Sequence, residues 1–500
     1  MSHAPVYLKQ TAVTKQLVVD GKPFLIRGAE LQNSSLSVST YIPSWVKTDS
    51  RRFPRAKLRQ PGDKLDVSDA LSLFYNTAEA DAKAFTQLMR HLKEVEANKP
   101  TTVIMVQVEN ETGLLYDSRD RCAAAEKAFN SPVPEEFVSF LKENWDDLHH
   151  DLKRNFPNFL KACDKNTSWP AVFGHGLGTD EIFMAYHLSR YVNQVAAAGK
   201  KEYPLPFFTN VWMNYMSDDS DNAFPTVAGG GGYPGDYPSG GAVTNVIDVW
   251  HHYATNLDFI APDLYLNDYE STCRNYRYHN QPLLIPEQRR DEYGARRIWV
   301  AYGSYQALGV SPFGIDTLEA ATCPFTRQYG LLESVNALVL DAQATKGKSV
   351  GFFFDEIKED GTDPNPPFTH TFEGSDVQLI IERSFVFGKP GPGCGMVIHQ
   401  GGNKFICIGW GFQVRAKGTS PDCVYTSILN FEEKEVVNVE TGELRTLRRL
   451  NGDETRSGLM AIMPNEDPDY GGFPICVTIP SRTMIAELEF YTLNKENVEN

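Results

Sequence analysis

The sequence predicts two architectures in one chain, a parallel α/β fold over residues 1–345 and an antiparallel β-sandwich over residues 346–500. Two observations predict this. Up to about residue 346, short apolar runs alternate with helix-like stretches; beyond it almost every stretch reads as strand and turn. A chain of 500 residues also has room for two or three units, one of which can be a large barrel. Its 41% hydrophobic, 12% aromatic and 22% charged residues can bury a sizeable core, which excludes disorder along most of its length.

The first part opens on Leu17-Val18-Val19, an Asp20-Gly21 turn and Phe24-Leu25-Ile26-Arg27-Gly28, a hairpin signal feeding a buried strand. The runs Thr102 to Val108, Leu205 to Trp212, Leu257 to Leu264, Pro282 to Ile285 and Ala307 to Phe313 read as buried parallel strands. Helices are expected between them. Glu79 to Glu96 is one; a second starts at Pro134-Glu135-Glu136, with Phe137, Phe140, Leu141, Trp145 and Leu148 on one face. Thr179-Asp180 caps a third through Ile182, Tyr186 and Val192, and Asn245 to Tyr253 and Phe325 to Ala344 complete the set. The glycine-rich run Ala228 to Ala242 opens no helix on its third glycine, so it reads as a mobile loop rather than a phosphate cradle. In the last third, Val377 to Phe387, Met396 to His399, Lys404 to Trp410, Glu435 to Val439, Leu444 to Leu447 and Met484 to Phe490 are β-rich runs. Gly401-Gly402, Thr441-Gly442 and Asn451-Gly452 are turns between them.

A net charge of −16 argues against nucleic acid and anionic membrane surfaces as partners. The densest basic run, Arg289, Arg290, Arg296 and Arg297, is interrupted by Asp291 and Glu292 and reads as solvated or site-lining. No window approaches the roughly 18 apolar residues of a membrane span. Met1-Ser2-His3-Ala4-Pro5 has neither the basic start nor the apolar stretch of a secretory signal, which predicts a cytoplasmic chain as given. Eight cysteines contain no Cys-x-x-Cys pair, so reduced, mostly buried thiols are expected. His149-His150 and His251-His252 are neighbours that would not share a helix face, and no metal site is expected.

Chemistry concentrates at two strand ends. Val103-Ile104-Met105-Val106 runs into Gln107-Val108-Glu109-Asn110-Glu111-Thr112-Gly113, and Leu283-Leu284-Ile285-Pro286 runs into Glu287-Gln288. Acids at the carboxyl ends of parallel strands occupy the active-site face of a barrel. Two such carboxylates are what retaining glycoside hydrolysis requires, one protonated to donate to the leaving oxygen and one ionised to attack the anomeric carbon. Aromatic rings that could stack on a pyranose lie at or beyond other strand ends: Trp212, Tyr215, Tyr233, Tyr237 and Phe313, with Asn210 and Asn214 as weaker polar candidates.

The run Gln107-Val108-Glu109-Asn110-Glu111 with Gly113 resembles the acid/base motif of glycoside hydrolase family 35, the β-galactosidases. Asp20-Gly21-Lys22-Pro23-Phe24, Gly28-Ala29-Glu30-Leu31, Ala261-Pro262-Asp263-Leu264-Tyr265, Ile285-Pro286-Glu287 and Ser311-Pro312-Phe313-Gly314 extend it, and resemble a microbial branch that ends in a β-sandwich. The resemblance implies a (β/α)8 TIM-barrel-type catalytic domain, a β-galactoside oligosaccharide or glycan as substrate, and no cofactor. It makes Glu111 the general acid/base, Glu287 the nucleophile, Asn110 the partner of the sugar 2-hydroxyl, and Tyr265 the residue that positions the nucleophile. Trp212 and Phe313 are the stacking candidates carried forward. Glu109 is the rival for the acid/base role, ranked second because only Glu111 comes directly after the asparagine. Relatives are often exported.

Against that pattern the barrel is two strands short. Six strands are legible, at Phe24, Val103, Phe207, Phe259, Leu283 and Val310, and between Glu30 and Thr102 no further β-like run is expected, only a polar, proline-bearing loop and a helix. Tyr41-Ile42-Pro43-Ser44-Trp45-Val46-Lys47 resembles the segment just after the third strand of the family, which places the apparent internal deletion, about 60 residues, at Thr40-Tyr41. The first and fourth strands should then either pair directly in a strained barrel or stand apart with open edges.

Overall fold

The computed structural model describes residues 6–33, 42–62, 64–99, 101–163, 167–215, 230–384, 390–465, 474–475 and 478–498. The Thr40-Tyr41 join lies outside the described residues, as do Ala228, Phe385 to Phe387 and Cys476.

The chain is mixed α/β. It starts with a small antiparallel sheet, β1 (Val6–Gln10), β2 (Lys15–Val19) and β3 (Lys22–Pro23), in which the Asp20-Gly21 turn pairs Val19 with Lys22. Six parallel strands come next along the chain: β4 (Ile26–Arg27), then, after an antiparallel hairpin of β5 (Arg55–Gln60) and β6 (Lys64–Leu71), β7 (Val106–Gln107), β8 (Phe207–Trp212), β9 (Phe259–Asp263), β10 (Leu284–Gln288) and β11 (Gly309–Pro312). β8 and β9 are apolar and almost wholly buried, and β10 is buried at every residue, as strands covered on both faces require. Pairing runs β7-β8-β9 and β10-β11-β4, and the two groups meet where the Leu264 N–H donates to the Glu287 carbonyl at 2.8 Å.

The strands therefore form one arc, β7-β8-β9-β10-β11-β4, and among the described residues no backbone pairing joins β4 to β7. The hairpin β5-β6 lies in the chain interval where a loop is expected from the sequence. Its sequence alternates apolar and polar residues, Ala56 and Leu58 are buried, and the edge of β5 is tied by its Lys57 and Arg59 N–H groups to Asp120 (3.0 Å) and Asp117 (2.7 Å).

The helices cover the arc. Thr77–Val95 and Glu135–Asn144 fall near their expected bounds. The long helix Leu177–Glu202 starts two residues before the expected Thr179-Asp180 cap, because Asp180 is drawn inward by Ser118 (2.6 Å), Arg119 (3.0 Å) and Arg121 (2.8 Å). The single helix expected from Phe325 to Ala344 is two, Pro324–Ser334 and Asn336–Ala344, interrupted at Val335.

The sandwich has a six-stranded sheet, ordered β12-β15-β16-β21-β18-β19, over a four-stranded one, β13-β14-β17-β20. In chain order these are β12 (Ser349–Phe354), β13 (Phe368–Thr371), β14 (Val377–Arg383), β15 (Gly393–Gly401), β16 (Lys404–Trp410), β17 (Phe412–Gly418), β18 (Cys423–Asn438), β19 (Glu443–Arg449), β20 (Ala461–Ile462) and β21 (Ile485–Asn494). Alternate residues such as Val377, Leu379 and Ile381 point into a core with Phe352, Phe405 and Phe412. The other face of the six-stranded sheet packs on the helix Glu292–Gly303. Gly351 permits that approach: a Cβ there would stand 1.8 Å from the Trp299 carbonyl oxygen.

Arg296 and Arg297 are neither solvated nor site-lining. Both are buried, and both hold Asp355 just beyond β12, Arg297 at 2.6 Å and Arg296 at 3.1 Å, so these two arginines bind the α/β part to the sandwich. The described part of the glycine-rich run is also packed rather than loose, with Tyr237, Ser239 and Ala242 buried and Ser239 Oγ donating to the Ser118 carbonyl at 2.6 Å. Among the described residues no helix is long and apolar enough to cross a membrane, and the seven described cysteines are free thiols.

Candidate active site

The carboxyl ends of the parallel strands surround a cavity of about 500 Å³. The catalytic candidates Glu111 and Glu287 line it, with Asn110, Tyr265 and the two stacking candidates carried forward, Trp212 and Phe313. Glu30, Asn33, Met213, Asp263, Leu266 and Asn267 complete the wall, and no lysine, arginine or histidine is among the described residues that line it.

Local backbone rules aim the two glutamates. Beyond β7 the chain turns through Glu109 and Glu111, both at positive φ (61° and 44°), a region costly for side chains other than glycine and held here by surrounding bonds. The Glu111 N–H donates to Asn210 Oδ1 at 2.8 Å. Gly113 lets this turn pass close to Pro238, where a Cβ would meet the Pro238 carbonyl carbon at 2.4 Å. On β10, Pro286 has no N–H to give the ladder, and the β10-β11 register slips between Ile285 and Gln288. That irregularity falls at Glu287.

Asn210, at the centre of β8, ties the site together. Its Nδ2 lies 2.9 Å from Asp263 Oδ2, 3.1 Å from Asn110 Oδ1 and 3.3 Å from Glu287 Oε1. Tyr265 donates from its hydroxyl to the other oxygen of Glu287 at 2.7 Å. Gln107 donates to Asn110 Oδ1 at 3.0 Å, so both bonds to that side chain use its oxygen and its amide hydrogens remain to donate. Carboxyl oxygens of Glu111, Asp263 and Glu287 lie within 4.8 Å of one another.

So many acids without a counter-cation cannot all ionise. Burial first, and Glu287 second, push Glu111 up to about 7, with a hydrogen bond from Asp263 acting the other way. Glu30 rises to about 7 from burial and from Glu287 and Glu111. Asp263, 4% exposed, is held well above the carboxylate range by burial and by Glu287, Glu111 and Glu30. Burial also raises Glu287, but the Tyr265 hydroxyl opposes it. With donors on both oxygens, Glu287 is the group best supplied to carry the charge.

Glu109 goes elsewhere. It lines a neighbouring cavity with Asp81 and Tyr191, where burial and then Asp81 push it up to about 8. Tyr237 is spent on Glu181 in the interior (2.6 Å), Tyr233 is exposed, and neither these nor Tyr215 line the cavity. Asn214 lies one cavity away. Glu30 and Asp263 are not among the candidates the sequence supplies, although both stand in the family-like runs; each lies at or just beyond the carboxyl end of a parallel strand, the criterion that finds Glu111 and Glu287.

Among the described residues two groups of side chains bring ligating atoms within 4.8 Å of one another, the carboxyls above and His149, His150 and Asp151. In the latter His149 is the residue before a short helix rather than on it, so the two rings lie 4.3 Å apart, contrary to the expectation for helix neighbours. Its Nδ1 already accepts the Asp151 N–H, and Arg154 holds Asp151 at 2.7 Å.

A family model described as a domain of unknown function (DUF5597) matches residues 325–462. No curated protein matches the chain by sequence. Among solved structures, the chain is similar to a β-galactosidase from the psychrophilic Marinomonas ef1, at 14% identity and a TM-score of 0.36 over 61% of this chain and 50% of that one. It thus spans half the length of that enzyme. It is also similar to the catalytic domain of a β-amylase from Paenibacillus polymyxa (10% identity, TM-score 0.34, 57% of this chain and 74% of that one) and to PfGH50B (12%, 0.26, 63% and 60%). All three likenesses are distant.

Proposed function

We propose that the protein is a retaining glycoside hydrolase, and specifically a β-galactosidase that releases terminal β-linked galactose. The observation that carries this reading is the spacing of Glu111 and Glu287, whose oxygens approach within 4.8 Å. Inverting enzymes hold their carboxyls roughly 6.5–9.5 Å apart to admit a water, whereas retaining enzymes close the gap to about 5–5.5 Å. The choice of galactose rests on the combined family resemblance of the runs at residues 20–24, 28–31, 107–113, 261–265, 285–287 and 311–314.

In this mechanism Glu111 gives its proton to the glycosidic oxygen as the bond to the anomeric carbon breaks, and Glu287 attacks that carbon to form a glycosyl ester. Glu111, now a carboxylate, takes a proton from water, the oxygen of which displaces Glu287 and restores both groups. Asn110 donates to the sugar 2-hydroxyl, Tyr265 orients Glu287, and Trp212 and Phe313 offer faces to the ring. No cofactor takes part.

Replacing Glu287 by Ala or Glu111 by Ala should each abolish hydrolysis of an aryl β-galactoside, and azide should rescue the Glu287 variant to give the α-galactosyl azide. Unimpaired hydrolysis in both variants contradicts the assignment. A panel of aryl glycosides separates galactose from other sugars.

The lack, among the described residues, of backbone pairing between β4 and β7 favours one second reading, a protein that binds sugar without turning it over, since in the resembling family the third strand contacts the terminal sugar. Calorimetric binding of a galactoside with no turnover on any aryl glycoside would select it.

A further inference from the structure

Asp263 has no part in the two-carboxylate mechanism, yet it is the most enclosed acid of the cavity. We infer that Asp263 is a positioning residue that works as a neutral carboxylic acid, its Oδ1–H donating to the Glu111 carboxylate. The inference rests on the glycosidase reading for its catalytic meaning, but the proton on Asp263 can be observed without it.

The argument is one of donors and acceptors. Asp263 Oδ2 accepts the Asn210 amide at 2.9 Å, which marks Oδ2 as the carbonyl oxygen. Oδ1 is buried and finds no donor among the described residues. As an acceptor it would be an unsatisfied buried atom; as a hydroxyl it would be satisfied by the Glu111 carboxyl, with which the Asp263 side chain shares a hydrogen bond and which lies in the same carboxyl cluster. Glu287 already receives Tyr265 and Asn210, so Glu111 is the partner left in need. The charged or titratable groups facing Asp263 are Glu111 beyond β7, Glu287 on β10, Glu30 beyond β4 and Tyr265 beyond its own strand, with Tyr276 of the helix Tyr269–Tyr276 nearby. None is a cation, and burial opposes ionised Asp263.

The consequence is differential. Glu111 is neutral before glycosyl transfer and anionic after it, so a donor aimed at it stabilises the state formed as the bond breaks. Asp263 keeps its own proton throughout.

The test compares the pH–rate profiles of Asp263→Ala and Asp263→Asn on an aryl β-galactoside. Loss of a neutral donor should lower kcat about 100-fold in the alanine variant and move the basic limb, set by Glu111, up by about one pH unit. The asparagine variant keeps the shape, an oxygen for Asn210 and an N–H for Glu111, so it should recover most of the rate and return the limb toward the wild-type position. If Asp263 were ionised, removing its charge would move the limb down in both variants; a downward shift, or no shift in either, overturns the proposal. Should the wild-type chain hydrolyse nothing, the glycosidase reading fails separately, and difference infrared spectra decide the proton. A carboxylic-acid C=O band at pH 8 that is lost in Asp263→Asn supports the neutral acid, and a carboxylate band in its place overturns it.

Discussion

At the scale of single residues, the cavity assigns different protonation states to chemically identical groups. Glu111 must hold its proton to donate it, and its pKa is raised to about 7, so hydrolysis should fall as pH rises through about 7. Tyr265→Phe removes the donor that opposes the burial of Glu287, which should raise that pKa, move the acidic limb to higher pH and lower kcat about tenfold. A pH–rate profile of the variant checks both. Glu109 offers a stability test away from the cleft. Folded, it keeps its proton up to about pH 8, against 4.5 for a free side chain, so between those values the folded state binds more protons and stability falls with rising pH. Glu109→Gln should therefore melt close to wild type at pH 5 and be more stable at pH 9 by a few kcal/mol, measured by calorimetry. Glu111, Glu287 and Tyr265 were legible because they stand in sequence at strand ends or in motifs. Asn210 was a weak candidate and Asp263 went unassigned because their importance comes from neighbours about 50 to 100 positions away, a relation that no local pattern carries.

Elements are held by buried ion pairs more than expected from an acidic chain. Asp355 receives Arg297 and Arg296, and although burial alone would raise its pKa, the two guanidinium groups hold it below the usual range. Asp355→Ala strands the buried Arg297, while Arg296 keeps Glu356 at 2.8 Å, and should destabilise by about 3–5 kcal/mol, read from denaturant unfolding. A near-neutral result would show the clamp to be slack. Asp180 is the matching knot on the other side, taking Arg119 and Arg121 and through them the segment that carries the β5 edge. Strand and helix identities were largely readable from periodicity. The misplaced start of the Leu177–Glu202 helix has a physical source, since Thr179-Asp180 has the chemistry of a cap but Asp180 serves a tertiary partner instead. The hairpin β5-β6 was missed although Arg55 to Leu71 alternates and carries a Pro61-Gly62 turn, because its many charges mask the alternation.

For the whole molecule, the arc and the sandwich share one hydrophobic core through the helix Glu292–Gly303. We take the division at residues 345 and 346 as a division of architecture, with the two parts expected to unfold in one transition. Among the described residues the arc is paired on both sides at β8 but on one side at β7, so amide exchange should be slower in Phe207–Trp212 than in Val106–Gln107. Six parallel strands were legible as a count and six are found among the described residues, whereas the hairpin β5-β6 in the interval between the first two was not. The central claim, that Glu111 and Glu287 perform double displacement in this cleft, is tested most directly by trapping the covalent intermediate. Incubation with a 2-deoxy-2-fluoro aryl β-galactoside and then peptide mass spectrometry should find one sugar esterified to Glu287; turnover without such an adduct, or an adduct on another carboxylate, contradicts the account.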